Sequence, residues 1–131
     1  MWFQIEHMGL AAKSPTALRD WYVRVLGLQE VFRDGKNPPA FLLKSLGGLL
    51  LEIYPADRAD EVVGNNKLAG WRHLALRVDS IEAGRDYLSA KGVGMIDEIR
   101  PAGGGGRVLF FHDIEGNLLH LVERPDGLDG Q

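Results

Sequence analysis

Four side chains in this sequence of 131 residues are candidate metal ligands. Glu52 lies in the apolar run Leu49-Leu50-Leu51-Glu52-Ile53-Tyr54, where an uncompensated carboxylate would be costly or would become protonated. The other three are His7, His73 and His120. Because the chain has no cysteine, His, Asp or Glu must hold any metal. Three imidazoles and one carboxylate suit zinc, nickel, cobalt, manganese or iron.

These four residues occupy equivalent positions of an internal repeat. At an offset of 66, residues 7–22 pair with residues 73–88, and six of the sixteen pairs are identical, His7 with His73 among them. At an offset of 68, residues 48–53 pair with residues 116–121, which aligns Glu52 with His120. The sequence therefore predicts a duplicated module of roughly sixty residues. If a pseudo-twofold axis relates the two modules, the four side chains can converge on one point.

Each module is predicted to contain a strand, a helix and three more strands. The first helix begins at Ser14-Pro15 and ends at Gly27, which are favoured cap residues, and the second begins at Asp79 or Ser80 and ends near Gly92. The strands are predicted at 3–10, 28–34, 40–46, 48–54, 71–78, 94–99, 107–112 and 117–123.

One domain is expected over residues 1–131. It consists of a first module at 2–54, a linker at 55–70, a second module at 71–124 and a tail at 125–131. Because alternate side chains of a strand point to opposite faces, His120 shares a face with Leu118 and Val122, whereas Glu123 points the other way.

A simpler interpretation of each site residue stays open. A single histidine on a strand is commonly a core or surface residue, and a glutamate among leucines can face solvent from an edge strand. The equivalent placement of the four residues in the repeat is what favours a metal site.

Composition and charge exclude several classes of partner. The chain has 15 Lys and Arg against 18 Asp and Glu, a net charge of -3, so the basic surface that nucleic-acid binding requires is missing. No charged leader precedes an apolar stretch, and no apolar run approaches the roughly 18 residues that cross a bilayer. We therefore expect a soluble, cytoplasmic protein that binds neither nucleic acid nor membrane.

Three segments carry a resemblance to a known family: 7–28 with its helix, 73–79, and 110–123 with Asp113-Ile114-Glu115-Gly116-Asn117. Over about residues 3 to 124, the chain resembles the vicinal oxygen chelate superfamily of glyoxalase I, fosfomycin-resistance enzymes, methylmalonyl-CoA epimerase, extradiol dioxygenases and bleomycin-resistance proteins. The resemblance implies an α+β fold of two tandem βαβββ modules that form a curved, incompletely closed eight-stranded sheet around a cavity.

The resemblance also implies the metal ligands, which come from the first and last strands of each module: His7, Glu52, His73 and His120. One position differs from glyoxalase I and its close relatives. Their ligand on the final strand is usually a carboxylate, whereas this sequence has His120 at that position.

The function that the resemblance implies is that of a metal-dependent, glyoxalase-like lyase or isomerase acting on a small molecule with vicinal oxygens. The divalent metal would bind substrate oxygens as a Lewis acid. Glu52 is expected either to act as the base that moves a proton or to be a permanent ligand. A homodimer is also expected. The alternatives are a ring-cleaving dioxygenase and a non-catalytic small-molecule-binding resistance protein.

The glycines at 103–106 lie between Arg100 and Arg107. We interpret this segment as a mobile connection or as a lid over the cavity. The two arginines are expected either to be solvated or to meet an anionic substrate. His112, the remaining histidine, is expected to be exposed.

Overall fold

The structure is a computed structural model that describes residues 1–59 and 63–128. The chain divides into two compact units, Met1–Glu61 and Val62–Gln131. The boundary falls in the linker predicted at 55–70. Residues 60–62 of that linker and residues 129–131 of the predicted tail lie outside the described residues.

The first unit contains one helix and a four-stranded sheet. Its elements are β1 (His7–Ala12), α1 (Pro15–Leu26), β2 (Gln29–Arg33), β3 (Phe41–Lys44) and β4 (Leu50–Pro55). The strand order is β1-β4-β3-β2, with β1 parallel to β4 and the other neighbours antiparallel.

Local sequence sets both ends of α1. Pro15 occupies the first turn, where its missing N–H costs no helical hydrogen bond. Gly27 ends the helix in the left-handed conformation at φ 73°, and its N–H donates to the carbonyl of Val23. Leu18 and Val25 of α1 are fully buried. Each such burial stabilises the unit by roughly 1.5–3 kcal/mol.

The second unit repeats this architecture. Its elements are β5 (His73–Arg77), α2 (Ile81–Ala90), β6 (Arg100–Pro101), β7 (Arg107–His112) and β8 (Leu118–Glu123). The strand order is β5-β8-β7-β6, with β5 parallel to β8. Of the two predicted helix starts, the structure has Ser80, whose hydroxyl accepts a hydrogen bond from the N–H of Ala83 at 3.2 Å.

The predicted fold is confirmed as two βαβββ modules. The described residues form two four-stranded mixed sheets and no closed barrel. No helix within residues 1–59 and 63–128 is long and apolar enough to span a membrane.

Two strands start four and two residues later than predicted, and a third strand was predicted in the wrong place. The first strands begin at His7 and His73, not at Phe3 and Trp71, because the strands that pair with them start opposite those histidines, at Leu50 and Leu118.

The third error is the strand predicted at 94–99. Within that range the structure has only an isolated bridge between Met95 and Phe111, and regular pairing begins at Arg100. Asp97 and Glu98 are exposed and lie outside the sheet.

Candidate functional site

His7 and Glu52 lie on one face of the first sheet. In the parallel pairing of β1 with β4, Glu52 is opposite Gly9, so the side chains of Glu52 and His7 project from the same face. His7 Nε2 lies 3.9 Å from Glu52 Oε1. The two side chains are 40% and 38% exposed, so solvent reaches this carboxylate in spite of its apolar neighbours in sequence.

A second carboxylate orients His7. The Nδ1 atom of His7 lies 2.9 Å from Glu6 Oε1, and a carboxylate can only accept, so the proton belongs on Nδ1. Nε2 is the ring nitrogen nearer to Glu52. Two ligand atoms on one metal stand about 3.0–3.4 Å apart at ordinary bond lengths and angles. The pair is therefore a few tenths of an ångström wider than a metal would hold it.

Gly9 makes room for this arrangement. A Cβ atom at Gly9 would lie 3.2 Å from Tyr54 Cε1 and 3.7 Å from Glu52 Oε1. Tyr54 follows Glu52 by two residues and shares its face. Sequence reasoning missed both residues, although a glycine inside a strand is a signal of close approach by another group.

The second sheet brings His73 and His120 together. His73 pairs with Leu118 and Ala75 with His120 in the parallel ladder, so both imidazoles project from the same face. Their ring centroids are 4.8 Å apart and their planes are inclined at 57°. The two histidines differ in burial: His73 is exposed, whereas His120 is only 7% exposed.

Hydrogen bonds fix the proton of both histidines on Nδ1. His73 Nδ1 lies 2.7 Å from Asn66 Oδ1, and His120 Nδ1 lies 3.0 Å from the carbonyl oxygen of Leu121. Because both partners are acceptors, each Nδ1 is the donor, and Nε2 is the ring nitrogen left to bind a metal. Burial lowers the pKa of His120, which favours the neutral imidazole that a metal needs.

Phe110 links the two histidines to Arg100. Phe110 is opposite His120 in the β7–β8 ladder, and its ring centroid lies 4.7 Å from that of His120 and 6.1 Å from that of His73. The guanidinium carbon of Arg100 lies 5.1 Å from the centroid of the Phe110 ring. Sequence reasoning noted Arg100 but missed Phe110.

Arg107 belongs to the opposite side of the second sheet. It forms ion pairs with Glu82 of α2 at 2.6 Å and with Glu123 of β8 at 2.9 Å. Glu123 also accepts the N–H of Ile81 at 2.8 Å, at the start of α2. Glu123 therefore points away from the face of His120, as predicted, and Arg107 is an ion-paired residue of the helix–sheet contact.

The glycine segment is a hairpin turn between β6 and β7. Ala102 N–H donates to Gly106 O at 3.0 Å, and the Nη1 atom of Arg124 lies 2.6 Å from Gly103 O, so the turn is tied to the end of β8. These bonds favour an ordered turn over a mobile connection. His112 is exposed, as predicted.

The sequence-predicted ligands thus occur as two pairs, His7 with Glu52 and His73 with His120. No group of three or more His, Asp or Glu side chains that could hold a metal ion is present in the described part of the chain. The donor chemistry nevertheless fits a divalent metal, because each of the three histidines has an acceptor oxygen beside Nδ1, which leaves Nε2 as the nitrogen that can bind a metal.

Comparison with known proteins gives a match over most of the chain. The model of a family described as the Glyoxalase/Bleomycin resistance protein/Dioxygenase superfamily matches residues 4–121. The "Uncharacterized protein YaeR" of Escherichia coli (strain K12) is 27% identical over 125 residues, which cover 92% of this chain and 96% of that protein.

Solved structures have the same fold. A glyoxalase family protein from Enterococcus faecalis is 28% identical with a TM-score of 0.78, and the match covers 92% of this chain and 97% of that one. A fosfomycin resistance protein, FosX, from Listeria monocytogenes, solved with Mn(II) and sulfate ion, is 21% identical with a TM-score of 0.71. That match covers 95% of this chain and 92% of FosX, and at this identity it shows the fold alone.

Proposed function

The chain belongs to the Glyoxalase/Bleomycin resistance protein/Dioxygenase superfamily, and from that premise we propose that it is a metal-dependent, glyoxalase-like enzyme of the lyase or isomerase type. Its substrate is a small molecule with vicinal oxygens. The observation that carries the proposal is the common arrangement of His7, His73 and His120, each of which bonds an oxygen through Nδ1 and so leaves Nε2 to bind a metal.

The four residues that would hold one divalent cation are His7, Glu52, His73 and His120. Zinc, nickel, cobalt, manganese and iron all accept such a donor set. When bound, the metal supplies Lewis acidity that polarises the substrate oxygens. The manganese in the Listeria structure supports the use of a divalent metal in this fold.

Glu52 is the residue that would move the proton between adjacent carbons of the substrate. Its carboxylate is 38% exposed, so it is accessible from the face it shares with His7. General-base catalysis requires such an accessible acceptor beside the reacting carbon. The other role for Glu52 is that of a permanent metal ligand. Substitution by glutamine distinguishes the two roles, because it slows proton exchange only if Glu52 is the base.

A non-catalytic binding protein is the second candidate. Phe110, His120 and His73 form a cluster of rings in which neighbouring centroids are 4.7–6.1 Å apart. Such a surface can stack against a flat ligand without a metal. A ring-cleaving dioxygenase would use the same ligands with iron and would consume dioxygen.

The experiment compares metal-stripped protein with protein loaded with each of the five metals. The probes are the hemithioacetal of methylglyoxal and glutathione, dihydroxyacetone in D₂O, and catechol with an oxygen electrode. The proposal expects metal-dependent isomerisation of the hemithioacetal or deuterium exchange into dihydroxyacetone. Oxygen uptake with iron and catechol would favour the dioxygenase. If no metal produces any reaction with the three probes, the enzymatic proposal is overturned in favour of the binding protein.

We also propose that the protein acts in the cytoplasm as a homodimer. The family supports the dimer, because superfamily members with a single pair of modules are often homodimers. Sedimentation equilibrium of the purified chain should give twice the mass of 14.5 kDa, and a monomer at micromolar concentration would contradict it.

A further inference from the structure

Arg100 lies on the same sheet face as the two histidines of the second unit. It pairs with Val108 in the β6–β7 ladder, and Phe110 follows Val108 by two residues on the same face. The guanidinium carbon of Arg100 lies 5.1 Å from the centroid of the Phe110 ring. The ring centroid of His120 lies 4.7 Å from the same point. Arg100 is thus one aromatic ring away from the proposed ligands.

The ion pair between Arg100 and Asp97 uses only part of the N–H donors of the guanidinium. Its ion pair with Asp97 uses Nη2 at 3.2 Å, and the side chain is 53% exposed. Arg107, by contrast, uses Nε, Nη1 and Nη2 on the carboxylates of Glu82 and Glu123. Because a guanidinium carries five N–H donors in a planar fork, Arg100 can bind a second anionic group where Arg107 cannot.

The charge on this face favours an anion. On the face of His120, the described residues of β5, β7 and β8 include no Asp or Glu, and Arg77 adds a second guanidinium. The equivalent face of the first unit carries the carboxylate of Glu52. An anionic substrate group would therefore be repelled less by the second unit than by the first.

We propose that Arg100 binds an anionic group of the substrate, a carboxylate or a phosphate, while the vicinal oxygens of the same molecule lie beside His73 and His120. This inference rests on the function proposed above and adds the substrate class: a small anion with adjacent oxygens. Phe110 holds the guanidinium by a cation–π contact and sets its separation from the imidazoles. The incoming anion competes with Asp97 for Arg100.

The test uses NMR titrations that follow the ring resonances of Phe110 and the Nε–Hε resonance of Arg100. Inorganic phosphate is the probe for metal-free protein. For zinc-loaded protein the probes are glycerol 3-phosphate, glycerate and neutral glycerol. The variants are Arg100→Gln, Arg100→Lys and Asp97→Asn, with Arg85→Gln as the control, because Arg85 is a partly exposed arginine that pairs with Asp86 on α2.

We expect phosphate to shift the Phe110 resonances saturably and to bind about tenfold or more weakly to Arg100→Gln, since charge-assisted hydrogen bonds are lost. Arg85→Gln should bind like the wild type. Asp97→Asn should bind phosphate more tightly, because it removes the competing carboxylate. Arg100→Lys should restore part of the affinity, because it keeps the charge without the planar fork.

With zinc bound, glycerol 3-phosphate or glycerate should bind more tightly than glycerol. The one that binds more tightly shows whether Arg100 prefers a phosphate or a carboxylate. Equal weakening in Arg100→Gln and Arg85→Gln, or wild-type affinity in Arg100→Gln, would overturn the proposal. If the wild type binds no zinc, the proposed metal enzyme fails, whereas the phosphate titration still decides whether Arg100 binds anions.

Discussion

Asn66 lies seven residues before His73, and its Oδ1 atom accepts a hydrogen bond from His73 Nδ1 at 2.7 Å. This bond fixes both the ring orientation and the proton position of an exposed histidine. Glu6 has the same relation to His7, and the carbonyl of Leu121 has it to His120. Each of the three histidines therefore bonds an oxygen through Nδ1, which leaves Nε2 for the ligand role proposed above.

The first prediction concerns this hydrogen bond. Asn66→Ala should weaken metal binding about 10- to 100-fold, because partners that orient a ligand typically contribute that much to affinity. Competition with a chromophoric chelator measures the change. Asn66→Asp keeps an acceptor oxygen and should retain most of the affinity. Equal affinities of the wild type and Asn66→Ala would show that His73 is not a ligand oriented in this way.

The second prediction separates the two roles of Glu52. Glu52→Gln keeps an oxygen donor but removes the basic carboxylate, so it should slow deuterium exchange about 10²- to 10⁴-fold while largely retaining metal. Exchange followed by NMR and metal content measured on the same sample give both readouts. Unchanged exchange with full metal would reject Glu52 as the base.

How far the sequence predicted this arrangement can be seen from the strands that carry the histidines. The repeat made His7 equivalent to His73 and Glu52 equivalent to His120, as the matching strand pairings show, and alternation along β8 put His120 and Glu123 on opposite faces. These inferences hold because the side-chain period of a strand is fixed by backbone geometry.

The hydrogen-bond and ion-pair partners of the site residues could not be predicted from strand periodicity. Asn66 lies in the predicted linker, and its bond to His73 depends on a loop path that no periodicity encodes. Arg107 illustrates the same limit, because only the packing of α2 on the sheet brings Glu82 to within 2.6 Å of it. The strand predicted at 94–99 was also wrong, because Asp97 and Glu98 are exposed and pairing with β7 begins only at Arg100.

The third prediction compares two glycines of the hairpin turn. Gly105 and Gly106 both have positive φ, at 93° and 92°, so alanine at either position should cost about 1–2 kcal/mol from backbone strain. A Cβ at Gly106 would also lie 1.8 Å from the carbonyl oxygen of Glu123, whereas a Cβ at Gly105 meets nothing within 4 Å. Gly106→Ala should therefore destabilise the protein distinctly more than Gly105→Ala in urea unfolding. Equal losses of unfolding free energy would contradict this prediction, because they would mean that the backbone of β8 moves away from the added Cβ without destabilising the protein.

The fourth prediction concerns stability in acid. Hydrogen bonds from Arg107 lower the pKa of Glu82, and the N–H of Ile81 followed by Arg107 lowers the pKa of Glu123. Carboxyls with a lowered pKa in the folded state stabilise the protein above the ordinary glutamate pKa of about 4.3, and this stabilisation is lost as the pH falls through their folded pKa values.

Arg107→Gln should therefore be less stable than the wild type at pH 7, and its stability should fall less between pH 7 and pH 3. The two curves of unfolding free energy against pH should converge at the acid end. Arg85→Gln serves as a control with a smaller expected effect, because Arg85 pairs with Asp86 and its charge is the last of the causes that lower the pKa of Glu82. Parallel curves for Arg107→Gln and the wild type would contradict the assigned cause of these pKa shifts.

The central claim is that ligands from both units bind one cation. Metal analysis of freshly purified wild type and of His7→Ala, His73→Ala and His112→Ala tests it most directly, since His112 is an exposed histidine outside the proposed ligand set. The account predicts one divalent metal per chain in the wild type and in His112→Ala, and its loss from both other variants. Full metal content in both His7→Ala and His73→Ala would contradict the account.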